Sequence, residues 1–295
     1  MTANHIQGSI VALITPFYPD GTVNYDKLGQ LIDFHLENET DAILILGTTG
    51  ESSTMSHEED DQVCRYTVDR VAGRVPVIAG SGSNSTQTML EKSLRFQNLG
   101  ADGLLLITPY YNKTNEEGMV RHFTTVADAV NIPCILYNVP GRTGCSISEA
   151  AIRRLAAHPR IMGIKEASGN MSYAVKIARY LSGDFRMYCG NDDITVPLLS
   201  LGASGVISVL ANVVPRETHN MVWDYLRGDH QKALEAQLRY LDLINDLFLE
   251  VNPIPVKEAL NLMGMEVGGY RLPLTPMAEQ NRARLRAAME GVGLL

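Results

Sequence analysis

The sequence predicts one (β/α)8 barrel, an α/β fold of the TIM-barrel type, followed by a C-terminal helical extension. Three observations carry this expectation. Apolar, β-branched runs recur eight times, at residues 10–15, 42–47, 75–80, 103–108, 133–137, 162–165, 185–190 and 205–208. Their ends fall mostly 25 to 33 residues apart, with a polar loop after each run and usually a segment of helical spacing after that. The runs are continuously apolar rather than alternating, which fits parallel strands covered on both faces. Eight strand–helix units in about 210 residues fit a closed barrel. A doubly wound open sheet is the alternative. It usually carries a glycine-rich turn after its first strand, and Thr15-Pro16-Phe17 is not one.

The intervening segments read as amphipathic helices. After the first run, Leu28, Leu31, Ile32, His35 and Leu36 recur at i, i+3, i+4, i+7 and i+8. After the fourth, Met119, His122, Phe123, Val126, Ala127 and Val130 do the same. Beyond the eighth run the chain reads as helices at roughly residues 215–227, 230–249, 255–263 and 276–290, with prolines near several starts. The division expected is a barrel over residues 1–212 and a helical extension over 213–295, packed together. No linker, low-complexity tract or charge block marks a separate unit.

Composition narrows the function classes. The chain has 295 residues, 45% of them hydrophobic, and a net charge of −8. No cluster of Lys or Arg stands out, so nucleic acid and anionic membranes are poor partner choices. Residues 1–8 are polar and lack the apolar core of a signal peptide, and no apolar stretch approaches a membrane span. Cys64, Cys134, Cys145 and Cys189 are far apart and form no CxxC, which reads as reduced thiols in a cytoplasmic protein. Cys134 and Cys189 lie in strand-like runs and read as small core residues.

In a barrel of this type the functional groups gather at the C-terminal ends of the strands. The second run ends Gly47-Thr48-Thr49-Gly50-Glu51-Ser52, whose backbone amides and two hydroxyls can approach an anion closely. An ordinary glycine turn is the plainer reading of that motif alone. The third ends Gly80-Ser81-Gly82-Ser83-Asn84, a small-residue turn without the lysine of a phosphate loop. The fourth ends Thr108-Pro109-Tyr110-Tyr111-Asn112-Lys113, where Tyr110 reads as rim packing. The fifth supplies Tyr137 and Arg142. The sixth supplies Lys165, at the end of Ile161-Met162-Gly163-Ile164-Lys165. A lysine there could snorkel into solvent. If buried, it loses charge and becomes a nucleophile able to form a Schiff base. Strands five and six are expected to be neighbours about 4.8 Å apart, bringing Tyr137 and Lys165 to one cavity. Glu166 then faces the opposite way and is structural.

Absences matter as well. The seven histidines are His5, His35, His57, His122, His158, His219 and His230, and none stands at a strand end with a second ligand at metal spacing. No strand-end carboxylate pair suggests glycoside hydrolysis. An amine, a phenol, hydroxyls and an arginine remain, a set suited to carbonyl chemistry through an imine.

Six segments together resemble the dihydrodipicolinate synthase family of pyruvate-dependent class I aldolases. They are Gly47-Thr48-Thr49-Gly50-Glu51, Thr108-Pro109-Tyr110-Tyr111-Asn112-Lys113, Tyr137-Asn138-Val139-Pro140-Gly141-Arg142-Thr143-Gly144, Gly163-Ile164-Lys165-Glu166-Ala167-Ser168-Gly169-Asn170, Gly205-Val206-Ile207-Ser208-Val209 and Asn252-Pro253-Ile254-Pro255-Val256-Lys257. The likeness spans nearly the whole chain. The segment from Val139 to Gly144 favours the synthases over the sialic acid lyases of the same superfamily, which lack that arginine.

The resemblance implies a lyase that condenses pyruvate with L-aspartate 4-semialdehyde, the first committed step toward diaminopimelate and lysine. Lys165 would form the pyruvate imine and serve as the electron sink, so no cofactor and no metal is expected. Tyr137 would shuttle protons, and Thr48 would link it to Tyr111. The family's matching tyrosine comes from a neighbouring subunit, which implies a homodimer for activity and commonly a homotetramer. Amides around Thr48 and Thr49 would hold the pyruvate carboxylate, Arg142 the semialdehyde carboxylate, and the Ile207 backbone would touch pyruvate. A pyruvate aldolase or lyase using another aldehyde, such as N-acetylmannosamine, is the runner-up. A homologue that has lost catalysis and binds a keto acid is a reading from another class.

Many members of this family are inhibited by L-lysine at the tight dimer interface. Ser52, Ser53, His57, Asn84 and Tyr110 match or nearly match that site. Asp60 and Thr88 stand where lysine-sensitive members carry a histidine and a glutamate. Losing a partly buried charge-assisted bond costs about 1.5–3 kcal/mol, tenfold and more in affinity. Weak or absent lysine feedback is therefore expected.

Overall fold

The computed structural model describes residues 6–295. The N-terminal reading over residues 1–5, and His5 with it, lies outside the described residues. Eight parallel strands close into one barrel in sequence order. They are β1 (Gly8–Ala12), β2 (Ala42–Ile45), β3 (Val77–Gly80), β4 (Gly103–Ile107), β5 (Cys134–Asn138), β6 (Ile161–Glu166), β7 (Arg186–Cys189) and β8 (Gly205–Ser208), with β8 returning to pair β1. Eight helices lie between or after the strands: α1 (Tyr25–Glu37), α2 (His57–Val71), α3 (Thr86–Asn98), α4 (Glu116–Ala129), the single turn α5 (Pro140–Thr143), α6 (Glu149–Leu155), α7 (Met171–Ala178) and α8 (Thr195–Ser200). Five more follow β8: α9 (Pro215–Leu226), α10 (His230–Arg239), α11 (Leu241–Asp246), α12 (Ile254–Leu262) and α13 (Glu279–Gly291).

The apolar runs divide into two layers because successive strand side chains alternate. In β5, Ile135 and Tyr137 join a cluster inside the barrel, whereas Cys134 and Leu136 join the larger layer between strands and helices. In β6 the outward residues are Ile161 and Ile164, while Met162 points inward. The C-terminal helices contribute Val222, Leu243, Val256, Leu260 and Leu285 to the same outer layer as the strands. Among the described residues no helix is long and apolar enough to cross a membrane. All four cysteines are free, and Cys134 and Cys189 are buried.

Boundaries differ from the sequence expectation where backbone donors are diverted. β3 starts at Val77 instead of 75 because Pro76 has no N–H to give the ladder. β1 ends at Ala12 because the Ile14 N–H donates to the Asn212 side chain at 3.2 Å and leaves the sheet. The helix expected over 230–249 is two helices, because Tyr240 (φ −94°, ψ 2°) leaves the helical region between them. The last helix starts at Glu279 rather than 276, since Ala278 is extended (φ −61°, ψ 139°).

Candidate active site

The C-terminal strand ends enclose a cavity of about 170 Å³ lined by Thr48, Thr49, Tyr137, Arg142 and Lys165, with Asn191 and Asn252 also on its wall. Five of the sequence-predicted residues therefore meet in one place. Tyr137 and Lys165 are register partners on β5 and β6. The lysine nitrogen lies 4.6 Å from the centre of the tyrosine ring. Glu166 follows the alternation of side chains along β6. It faces outward, buried, and accepts from the Asn138 side chain at 2.8 Å and the Ser168 N–H at 2.7 Å.

Lys165 is only 6% exposed. Burial lowers its pKa to about 8, with the nearby Arg142 charge acting in the same direction and Asp192 and Cys189 opposing. Relative to an ordinary lysine this raises the neutral fraction at pH 7 by roughly 300-fold. Burial also pushes the Tyr137 phenol up, against smaller opposing effects of Arg142 and a hydrogen bond with Thr48. The site thus holds a neutral phenol beside an amine that is readily unprotonated.

The opposite wall is the loop after β2. Leu46 and Glu51, at its two ends, are both in left-handed backbone conformation, with φ 57° and 55°. Gly50 carries no side chain, and its carbonyl accepts from the Thr15 hydroxyl at 2.7 Å. Thr49 is buried and its hydroxyl accepts from the Asn252 side-chain amide at 2.9 Å. Arg142, on the single turn α5, donates through Nη2 to the Asn252 carbonyl at 3.2 Å.

Two predicted residues stand apart. Tyr111 is 92% exposed, sits at φ 70° and does not line its own chain's cavity. Ile207 is buried in the cluster inside the barrel and is not on the cavity wall, where Val209 stands instead. Inward-facing β8 side chains lie deeper than the rim, and Val209 follows the strand's last residue.

A second cavity of about 300 Å³ opens beside the first, sharing Gly47, Thr48 and Tyr137 with it. Ser52, Ser53, His57, Thr88 and Tyr110 line it together with Asp60 and Lys92. Asn84 does not line it, and its carbonyl accepts from the Asn112 side chain at 3.0 Å. Asp60 is buried and already paired with Lys92 at 2.8 Å.

Sequence reasoning missed three contributors. Asp192, in the loop after β7, is 4% exposed and accepts from the Val209 and Leu210 amides at 2.9 and 3.1 Å. Asn252 lies 203 positions from Thr49, and its side-chain oxygen is buried without a hydrogen-bond partner. Lys92 lies inside a helical pattern and carried no strand-end signal. Among the described residues no group of three His, Cys, Asp or Glu side chains has metal-holding geometry.

Comparison with known proteins agrees with this geometry. The model of the Dihydrodipicolinate synthetase family matches residues 5–291. A 4-hydroxy-tetrahydrodipicolinate synthase from Caldicellulosiruptor bescii is 54% identical over 288 residues, covering 98% of this chain and 97% of that protein. The structure of dihydrodipicolinate synthase from Aquifex aeolicus superposes with a TM-score of 0.95 at 45% identity, covering 98% of both chains. A chloride-inhibited dihydrodipicolinate synthase from Acinetobacter baumannii, complexed with pyruvate, superposes with a TM-score of 0.96 at 44% identity, covering 99% of this chain and 100% of that one. With its barrel closed in the same order and its strand-end motifs in place, the chain belongs to the dihydrodipicolinate synthetase family.

Proposed function

We propose that this protein is a lyase that condenses pyruvate with L-aspartate 4-semialdehyde to give 4-hydroxy-tetrahydrodipicolinate. The observation that carries the reading is the buried Lys165 facing Tyr137 in a cavity that also holds Arg142 and the Thr48–Thr49 loop. The unprotonated amine attacks the keto carbon of pyruvate, and loss of water gives the imine. A methyl proton leaves to form the enamine. The enamine carbon attacks the semialdehyde aldehyde, and the resulting alkoxide is protonated. The semialdehyde's own amine then attacks the imine carbon and expels Lys165, closing the ring.

Tyr137 carries the protons. Its neutral phenol can donate to the alkoxide and recover a proton through Thr48. The amides and hydroxyls around Thr48 and Thr49 receive the pyruvate carboxylate. Arg142 receives the semialdehyde carboxylate as a planar two-point donor. The Ile207 backbone is assigned to pyruvate contact at the base of the site. Tyr111 is assigned to the cavity of a second copy of the chain, since it points away from its own, so the active form is a homodimer or a larger assembly built from it.

The cavity beside the site is assigned weak or absent response to L-lysine. Thr88 offers no charge to an effector ammonium, and Asp60 is already neutralised by Lys92.

The test is pyruvate consumption with aspartate semialdehyde, run beside N-acetylmannosamine. Strong preference for the semialdehyde supports the assignment. Turnover with the sugar alone overturns it while keeping a Schiff-base barrel.

A further inference from the structure

The loop that carries Thr48 and Thr49 is bent at both ends by residues that rarely take such backbone. Leu46 and Glu51 are left-handed, and neither is glycine. Conformations of this kind persist only where the surroundings over-determine them, and they gather at ligand sites. At the front of the loop the determinant is a close approach of backbone to backbone. A Cβ on Gly80 would stand 2.3 Å from the Leu46 carbonyl oxygen, so only glycine lets the bent chain pass.

At the far end the determinant is a buried charge pair. Lys257 Nζ donates to Glu51 Oε1 at 2.5 Å, with both side chains out of solvent. The same ammonium donates to the Gly269 carbonyl at 2.8 Å and lies 4.2 Å from the Phe17 ring centre. Glu51 Oε2 accepts from the Arg271 N–H at 3.3 Å. The Glu51 N–H donates to the Thr48 carbonyl at 3.1 Å, closing the turn that holds both threonines.

Stability is a weak reason for such a pair. Replacing a buried ion pair with apolar groups of similar volume is often neutral or stabilising. Neither residue touches the cavity or takes part in the chemistry proposed above. Their placement, at the end of the strained loop and on the helix α12 that follows Asn252, supplies a different reason. Asn252 grips the loop at Thr49, and Lys257 grips it at Glu51.

We propose that Lys257 and Glu51 are positioning residues that pin the left-handed end of this loop and so hold the Thr48 and Thr49 donors where a 2-keto acid carboxylate is received. This rests on the reading of the cavity as a pyruvate site. It gives a task to the last residue of two motifs, Gly47-Thr48-Thr49-Gly50-Glu51 and Asn252-Pro253-Ile254-Pro255-Val256-Lys257.

The experiment is borohydride trapping of Lys165 across a pyruvate concentration series, on the full chain, without the second substrate. The double variant Lys257→Met with Glu51→Gln removes both charges at nearly constant volume. Its half-saturating pyruvate concentration is expected to rise about tenfold or more. Trapping at saturation and kcat with the semialdehyde are expected to stay within about threefold, because the reacting groups are untouched. Glu51→Gln alone keeps the Lys257 bond to Gly269 and guards against a double variant that fails to fold, and its half-saturation is expected to move in the same direction. An unchanged half-saturation in either folded variant overturns the proposal. So does a fall in kcat at unchanged half-saturation. Absence of trapping in the unsubstituted protein overturns the pyruvate reading itself, independently of either variant.

Discussion

Tyr137 and Lys165 stand opposite each other on adjacent strands, with the lysine nitrogen 4.6 Å from the phenol ring centre. Burial moves both groups toward their neutral forms, the amine downward and the phenol upward. An aldolase that works through an imine needs this combination. The amine must be unprotonated to attack, and the phenol must still hold the proton it will give.

Replacing Tyr137 with Phe keeps the ring and removes the hydroxyl proposed to carry protons. Turnover is expected to fall roughly 10²–10⁴-fold with little change in pyruvate half-saturation. Steady-state kinetics with both substrates checks this. A turnover number equal to that of the unsubstituted protein would reduce Tyr137 to packing.

The rate of imine formation at low pyruvate is expected to rise with pH and level off above about 8, where the buried amine becomes neutral. Stopped borohydride trapping between pH 6 and 10 measures the profile. A midpoint near that of an ordinary lysine would mean the amine is not held in its buried environment.

The same burial has a cost in stability. Between pH about 8 and 10.5 the folded protein holds fewer protons at Lys165 than the unfolded chain, so stability from this group rises with pH across that window. Below pH 8 the full penalty is present. Lys165→Met is therefore expected to be inactive yet more stable at pH 7, by up to about 3 kcal/mol. The advantage should shrink as pH rises from 8 to 10.5. Denaturant unfolding at pH 7 and 10 reads the difference, and equal stabilities at pH 7 would contradict it.

Arg142→Lys keeps a positive charge but loses the planar fork. The KM for aspartate semialdehyde is expected to rise about tenfold, the equivalent of one charge-assisted hydrogen bond, with pyruvate KM nearly unchanged. A change confined to pyruvate would move Arg142 to the other carboxylate.

L-Lysine is expected to inhibit only above low-millimolar concentration. The cavity's one buried carboxylate, Asp60, already pairs with Lys92. Half-inhibition at or below low-millimolar lysine in the standard assay would refute this.

The barrel was legible because its strands are continuous apolar runs at near-regular spacing, and each strand end could be read as a wall of one site. Lys165, Tyr137 and Arg142 stood out because a charged or phenolic group at the end of an apolar run needs a reason. The direction of Glu166 followed from strand alternation alone. Asn252, Asp192 and Lys257 were not legible as site residues. Asn252 and Lys257 act through partners far away in sequence, as Lys257 does with Glu51 at a separation of 206 positions, and only the packed C-terminal segment brings them together. Asp192 instead sits in a polar loop whose role shows only once β8 sets the Val209 and Leu210 amides against it. The break at Tyr240 escaped periodicity for a similar reason, since apolar spacing continues across it while the backbone turns.

The most direct measurement is reduction with borohydride in the presence of pyruvate, followed by peptide mass mapping. One pyruvate-derived adduct is expected, on the peptide containing Lys165, and it should disappear in Lys165→Met. An adduct on Lys92, Lys257 or any other lysine, or no adduct at all, would contradict this.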